Sequence, residues 1–170
     1  MEAIMPKLIP LTQGQFAIVD NEDYRALMKY KWFAHYNSVR NTYTAERGKG
    51  VPKTRRTKLI LMHRQIINTP DGMETDHINH NTLDNRKSNL RVCTKSQNLM
   101  NRKLNSNNKS SCKGVYFDNT DRVWKSQITY NKKQVLLGRF KKLNDAILAR
   151  KQAEIKYFGE FAYKNTEVSV

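Results

Sequence analysis

The stretch METDHINHNTLDNRKSNLRVCTKSQN, residues 73–98, sets an acid beside a histidine at Asp76 and His77 and surrounds them with asparagines. METDHIN has the length of a short strand, NHNTLDNRKSN is a long polar connection, and LRVCT is a second strand. Thr94-Lys-Ser-Gln97 then matches a capping box, in which the Thr and Gln side chains satisfy each other's orphan backbone N–H groups. A helix is therefore predicted from Lys95 to about Lys103, with Asn98 in its first turn. Strand, connection, strand and helix in that order predict a β-β-α unit.

Those residue types also predict chemistry. Asp76 and Asn98 offer a carboxylate and an amide carbonyl, both hard oxygens. Two such ligands, completed by water and phosphate oxygens, suit Mg²⁺ (or Mn²⁺). His77 follows Asp76 in a strand and so points to the opposite side, where a neutral imidazole can take a proton from water. Asn89, just before the second strand, is placed to hydrogen-bond the connection and steady His77. A plain polar turn has no need of all these residues together. His77-x-x-His80 with Cys93 or Cys112 makes a poor tetrahedral zinc set.

Working outward, LNSNNKSSCK (104–113) reads as a linker, and three short strands follow: KGVYFD, VWKSQIT and VLLGRF. A helix is predicted from Asn144, a good N-cap, to Phe158, with Gly159 stopping it. Leu143, Ala146, Ile147, Arg150, Ala153 and Tyr157 share one helical face, which covers one side of the sheet. The other side is expected to carry Arg122, Lys125, Gln127, Lys133 and Arg139, a basic surface suited to a DNA groove. Trp124 is expected in the core. Toward the N-terminus, FAIVD, WFAHY and TYTAER are strand candidates, Glu22–Tyr30 is helical, 48–58 is a basic loop with Arg55 and Arg56, and LILMHRQII passes from strand to helix. His63, in that apolar run, is expected to be a packed residue.

The chain carries 31 Lys+Arg against 15 Asp+Glu, a formal +16, which favours a polyanionic partner. Residues 1–60, 61–104 and 105–170 carry net charges of +6, +3 and +7, so the flanks are more basic than the middle. Flanks that grip DNA, with Arg55, Arg56 and Arg102 among the contacts, would leave the middle its acids. No apolar run approaches the roughly 20 residues that span a bilayer, and MEAIMPKLIPLTQGQ has no signal-peptide core. Two cysteines are too few for a disulfide framework. A cytoplasmic protein without membrane attachment is expected.

The pattern D-H-I-N-H-N…D-N-R-x-S-N-L-R-V-x-T…Q-N over residues 73–103 resembles the HNH motif of ββα-metal nucleases, especially phage and intron-associated homing endonucleases. That resemblance implies His77 as general base, Asn89 as the structural Asn, and Asp76 with Asn98 as metal ligands. It also implies double-stranded DNA as substrate, with 5′-phosphate and 3′-hydroxyl products. Asn98 stands where many relatives have His, which favours Mg²⁺ or Mn²⁺ over zinc. Residues 112–162 resemble the plant ethylene-response-factor DNA-binding fold, three strands in the major groove backed by one helix. The expected class is α+β: a β-rich extension (1–60), a nuclease module (61–104), a linker (105–111), a three-strand-plus-helix DNA-binding domain (112–162) and a tail (163–170). No protein partner is implied. A monomer would nick one strand and a homodimer could cut both. The alternative is a sequence-specific DNA-binding protein or repressor that does not cleave.

Overall fold

The computed structural model describes residues 5–52, 54, 56–102, 104 and 108–163. It is mixed α and β, with small antiparallel sheets and few helices. The chain divides into two compact units, Met1–Asn98 and Leu99–Val170. No described helix is long and apolar enough to cross a membrane.

The first unit begins with a hairpin of β1 (Lys7–Pro10) and β2 (Phe16–Val19), in register from Lys7↔Val19 to Pro10↔Phe16. Alternation buries Ile9, Ala17 and Val19 and leaves Leu8 and Phe16 outside. Helix α1 (Asn21–Leu27) follows, with Glu22 and Asp23 in its first turn, where the helix dipole favours acids. It is shorter than the expected Glu22–Tyr30. The Trp32 indole N–H donates to the Leu27 carbonyl (2.9 Å), satisfying one of the orphan groups at the helix end.

Strands β3 (Phe33–Asn37), β4 (Thr42–Gly50) and β5 (Thr57–Leu61) form one antiparallel sheet in chain order. β5 runs directly into α2 (Met62–Ile66). Strands β6 (Glu74–His77) and β7 (Leu90–Cys93) pair antiparallel, and α3 (Lys95–Met100) closes the unit. The capping box forms in both directions: the Gln97 N–H donates to Thr94 Oγ1 (3.2 Å) and the Thr94 N–H to Gln97 Oε1 (2.8 Å). β6 is shorter than METDHIN because the chain turns at His80, which has φ 63°.

One hydrophobic core joins Ile9, Ala17, Val19, Leu27, Trp32, Ala45, Met62, Ile66 and Leu90. It runs through the expected boundary at 60/61, since residues of the extension pack with Met62, Ile66 and Leu90. Burial of this apolar surface fixes β6 and β7 against α2.

In the second unit β8 (Val115–Asp118), β9 (Val123–Tyr130) and β10 (Lys133–Phe140) form a sheet of order β10-β9-β8, and α4 (Leu143–Phe158) covers one face. The β9–β10 turn is Asn131-Lys132, both with positive φ, as a tight two-residue hairpin requires. Gly114 has φ +68°, and a Cβ there would lie 2.2 Å from the Gln127 carbonyl, so the close approach needs glycine. Ala146 and Ala153 let α4 lie close to the sheet, and between them Arg150 ties the elements together. Its Nη1 donates to the Gln127 carbonyl and its Nε to Glu154 (2.9 Å). Helix α4 starts one residue before the expected Asn144, with Lys142 extended at the cap position and no side-chain cap bond.

Candidate active site

Register decides which side chains meet across β6 and β7. Asp76 opposes Arg91 and His77 opposes Leu90, so the acid and the histidine face opposite sides of the hairpin.

On the Asp76 side, Arg91 Nε and Nη2 both donate to Asp76 Oδ2, at 2.9 and 2.6 Å. Glu74, two residues earlier on β6, shares this face. From α3, Asn98 Nδ2 donates to Glu74 Oε2 at 2.6 Å. With its amide nitrogen used in this way, Asn98 keeps a carbonyl oxygen as its other polar atom. Glu74, Asp76 and Asn98 thus bring carboxylate and amide oxygens to one side of the unit.

On the other side His77 is only 7% exposed and lies against α2. The His63 ring meets it edge-on, with centroids 5.0 Å apart and planes at 84°. Asn85, fully buried, has its Oδ1 3.1 Å from His77 Nε2, while its Nδ2 donates to the Leu83 carbonyl (3.3 Å). The amide oxygen can only accept, so Nε2 carries the proton and Nδ1 carries the lone pair. Burial pushes the His77 pKa below its ordinary value, against the opposing pull of Asn85, Asp76 and Asp84. His63 is pushed down to about 3 by burial, then by His77 and Arg64. Burial thus favours the neutral form of both rings, the state a general base requires.

The asparagines of the connection hold backbone. Asn89, from the 3₁₀ turn Lys87–Asn89, accepts from the Asn79 N–H at Oδ1 (2.9 Å) and donates from Nδ2 to the Asp84 carbonyl (2.8 Å). Its own carbonyl accepts from the Ile78 N–H (2.9 Å). Asn79 and Asn81 form short side-chain turns to the N–H groups of Asn81 and Leu83. At the centre lies Asp84, 2% exposed, bound by Arg86 Nε and Nη2 (both 2.7 Å) and Asn79 Nδ2 (2.9 Å). Burial raises the Asp84 pKa, but Arg86 and Asn79 outweigh it and hold the carboxyl below its usual range. The resulting turn sets the segment that follows His77.

β6, the 3₁₀ turn and α3 therefore carry Asp76, His77, Asn89 and Asn98 within one unit. Arg56 is exposed before β5, and Arg55 lies outside the described residues. Arg102, exposed, belongs to the second unit, as do the five expected sheet contacts. Lys125 and Gln127 alternate on the side of β9 away from α4, with Arg139 opposite Lys125. Lys125 Nζ is paired with Asp118 (2.5 Å) and Asp121 (2.8 Å), and Arg139 Nη1 with Asp121 (3.3 Å). Arg122 sits in the β8–β9 turn at φ 55°. Lys133 opposes Tyr130, whose ring packs on Tyr157 of α4, so it falls on the helix-covered side. Trp124 packs with Cys112, Val115 and Ala146.

Sequence reasoning missed Glu74, Arg91 and Asn85. The period-2 spacing of Glu74 and Asp76 would have found Glu74. Arg91 required the register, and Asn85 required the path of the whole connection.

Among the described residues no group of three or more His, Cys, Asp or Glu gathers as a metal cage. The oxygen set Asp76 and Asn98, beside Glu74, is nonetheless the kind that Mg²⁺ or Mn²⁺ accepts while keeping waters and taking phosphate oxygens. Its chemistry fits a hard divalent ion.

A family model described as HNH endonuclease matches residues 68–100. An uncharacterized HNH endonuclease of Acanthamoeba polyphaga mimivirus is 31% identical over 159 residues, which cover 90% of this chain and 76% of that protein. No solved structure matches the chain.

Proposed function

Because the chain belongs to the HNH endonucleases, nuclease enzymes that act on DNA and generally use divalent metal ions, we propose that it is a Mg²⁺- or Mn²⁺-dependent, site-specific endonuclease of homing type. It hydrolyses one phosphodiester bond of double-stranded DNA per visit, so a monomer nicks. The observation that carries this reading is the buried His77, its Nε2 bonded to Asn85, on the strand that also carries Asp76.

In the reaction His77 Nδ1 takes a proton from a water molecule, and the water oxygen attacks phosphorus. The P–O3′ bond breaks and the leaving 3′ oxygen takes a proton from a solvent water, giving a 5′-phosphate and a 3′-hydroxyl. Asn85 fixes the tautomer, and Asn89 holds the turn after His77 so that the ring keeps its place. Asp76 and Asn98 would hold the ion, with Glu74 orienting the Asn98 amide. When bound, the ion would supply positive charge to offset the charge that builds up on the phosphate and its leaving group.

Supercoiled plasmid and a genomic DNA library, each incubated with Mg²⁺, Mn²⁺ or EDTA, test this directly. Metal-dependent open circles or discrete nicks are expected. Tight, salt-sensitive binding with no cutting on any DNA would sink the nuclease mechanism and favour a non-cleaving binding protein.

The second unit, a three-stranded sheet backed by a helix, supplies affinity in this proposal, as its ethylene-response-factor-like pattern implies. Arg139 is an exposed cation of the open sheet face, bound more loosely by Asp121 (3.3 Å) than Lys125 is. Arg139→Ala is expected to weaken duplex binding by about three- to tenfold and to reduce the salt slope by about one. Lys125→Ala should do less, because Asp118 and Asp121 already hold that ammonium. Affinity unchanged in both variants, measured by anisotropy at two salt concentrations, would remove the sheet as a DNA contact.

A further inference from the structure

A cavity of about 720 Å³ opens beside β8, the edge strand of the second unit's sheet. Its wall includes Tyr116 and Phe117 of β8, Trp124 of β9, and three cations: Arg102, Lys109 and Lys113. No acidic residue lines it among those described.

Tyr116 and Phe117 are each 43% exposed, although apolar residues are available to the small cores nearby. Phe117 stands edge-on to Trp124, centroids 5.2 Å apart, so its orientation is fixed by packing. Held aromatic surface inside a cationic recess is a binding surface. Duplex DNA hides its base faces within the stack and presents phosphates. Exposed rings beside cations suit a base that has left the stack, with its phosphates reaching the cations. The volume lies in the range that takes a ligand of nucleotide size.

We propose that this cavity binds an unpaired stretch of DNA, a base against Tyr116 or Phe117 and its flanking phosphates on Lys109, Arg102 and Lys113. The choice of DNA rests on the nuclease function; the unpaired state rests on the cavity alone.

The test titrates the full chain with a dT12 single strand and with a 12-base-pair duplex, following tryptophan emission and anisotropy at two salt concentrations. Trp124 lines the cavity, whereas Trp32 is buried in the other unit's core, so quenching by dT12 that disappears in Trp124→Phe is expected. Tyr116→Ala and Phe117→Ala should each weaken dT12 binding by about tenfold, the ordinary effect of losing a base stack, and change duplex binding less than about twofold. Lys109→Gln, an exposed substitution that leaves the fold alone, should lower the salt slope for dT12. Absence of Trp124 quenching, an unchanged dT12 affinity in all three variants, or an equal loss for duplex would overturn the proposal. Plasmid nicking by the wild-type chain is scored in parallel. Nicking without dT12 quenching refutes the cavity alone, and dT12 quenching without nicking refutes the nuclease mechanism alone.

Discussion

His77→Ala is expected to lower strand cleavage by about two to four orders of magnitude, the contribution of a positioned general base, while duplex affinity stays within about twofold. The expectation follows from what the ring can do where it sits. Its Nε2 proton is committed to the fully buried Asn85, so only Nδ1 can take a proton from water. The metal-binding oxygens belong to Asp76 and Asn98, which Arg91 and Glu74 hold, so losing the imidazole should leave them in place. Because His77 packs against His63 and Leu90 belongs to the core, alanine will also cost stability. His77→Gln, closer in volume, therefore accompanies it, and both are assayed well below their melting temperatures. Cleavage above about a tenth of wild type in either folded variant would exclude His77 as the base, since such a loss is smaller than a base ordinarily accounts for.

The parts of this site that were legible in the sequence depend on near neighbours. The Thr94–Gln97 capping box forms because its bonds close within one turn. The face of α4 is visible because Ala146, Arg150 and Ala153 recur at helical spacing. The strand-to-helix passage of LILMHRQII likewise follows local composition. What stayed hidden depends on distant partners. Which residue of β7 faces Asp76 is a matter of register, and a shift of one residue would remove Arg91 from it. Asn85 is one asparagine among several by composition, yet it is turned inward onto His77, because the Ile18 carbonyl holds the Asn85 N–H (2.7 Å) and the Ile18 N–H meets the Leu83 carbonyl (2.8 Å). The same contacts explain the core that crosses residue 60: β2 is a structural neighbour of the connection after His77. On the sheet of the second unit, the charges read as a basic face were counted without the turn residues Asp118 and Asp121, which fold back onto Lys125 and Arg139.

The Arg91–Asp76 pair has the largest expected effect on stability. Asp76 is 6% exposed, and Arg91 Nε and Nη2 donate to its Oδ2. Arg91→Leu would take the guanidinium from a carboxylate with little water, a change that ordinarily costs about 3–5 kcal/mol. Adding Asp76→Ala in the same chain should recover part of that loss, because it removes the stranded charge and not merely one partner of a pair. A divalent ion held by Asp76 would supply the missing charge in another form. Mn²⁺ at about a hundred times its dissociation constant stabilises by roughly 2.7 kcal/mol if it binds only the folded state. The melting temperature of Arg91→Leu should therefore rise on adding Mn²⁺, and that of Arg91→Leu/Asp76→Ala should not. Arg91 competes for the same oxygen, so Mn²⁺ should also bind the single variant more tightly than the wild type. Equal thermal shifts in the single and double variants would remove Asp76 from the metal site and leave it a structural partner of Arg91.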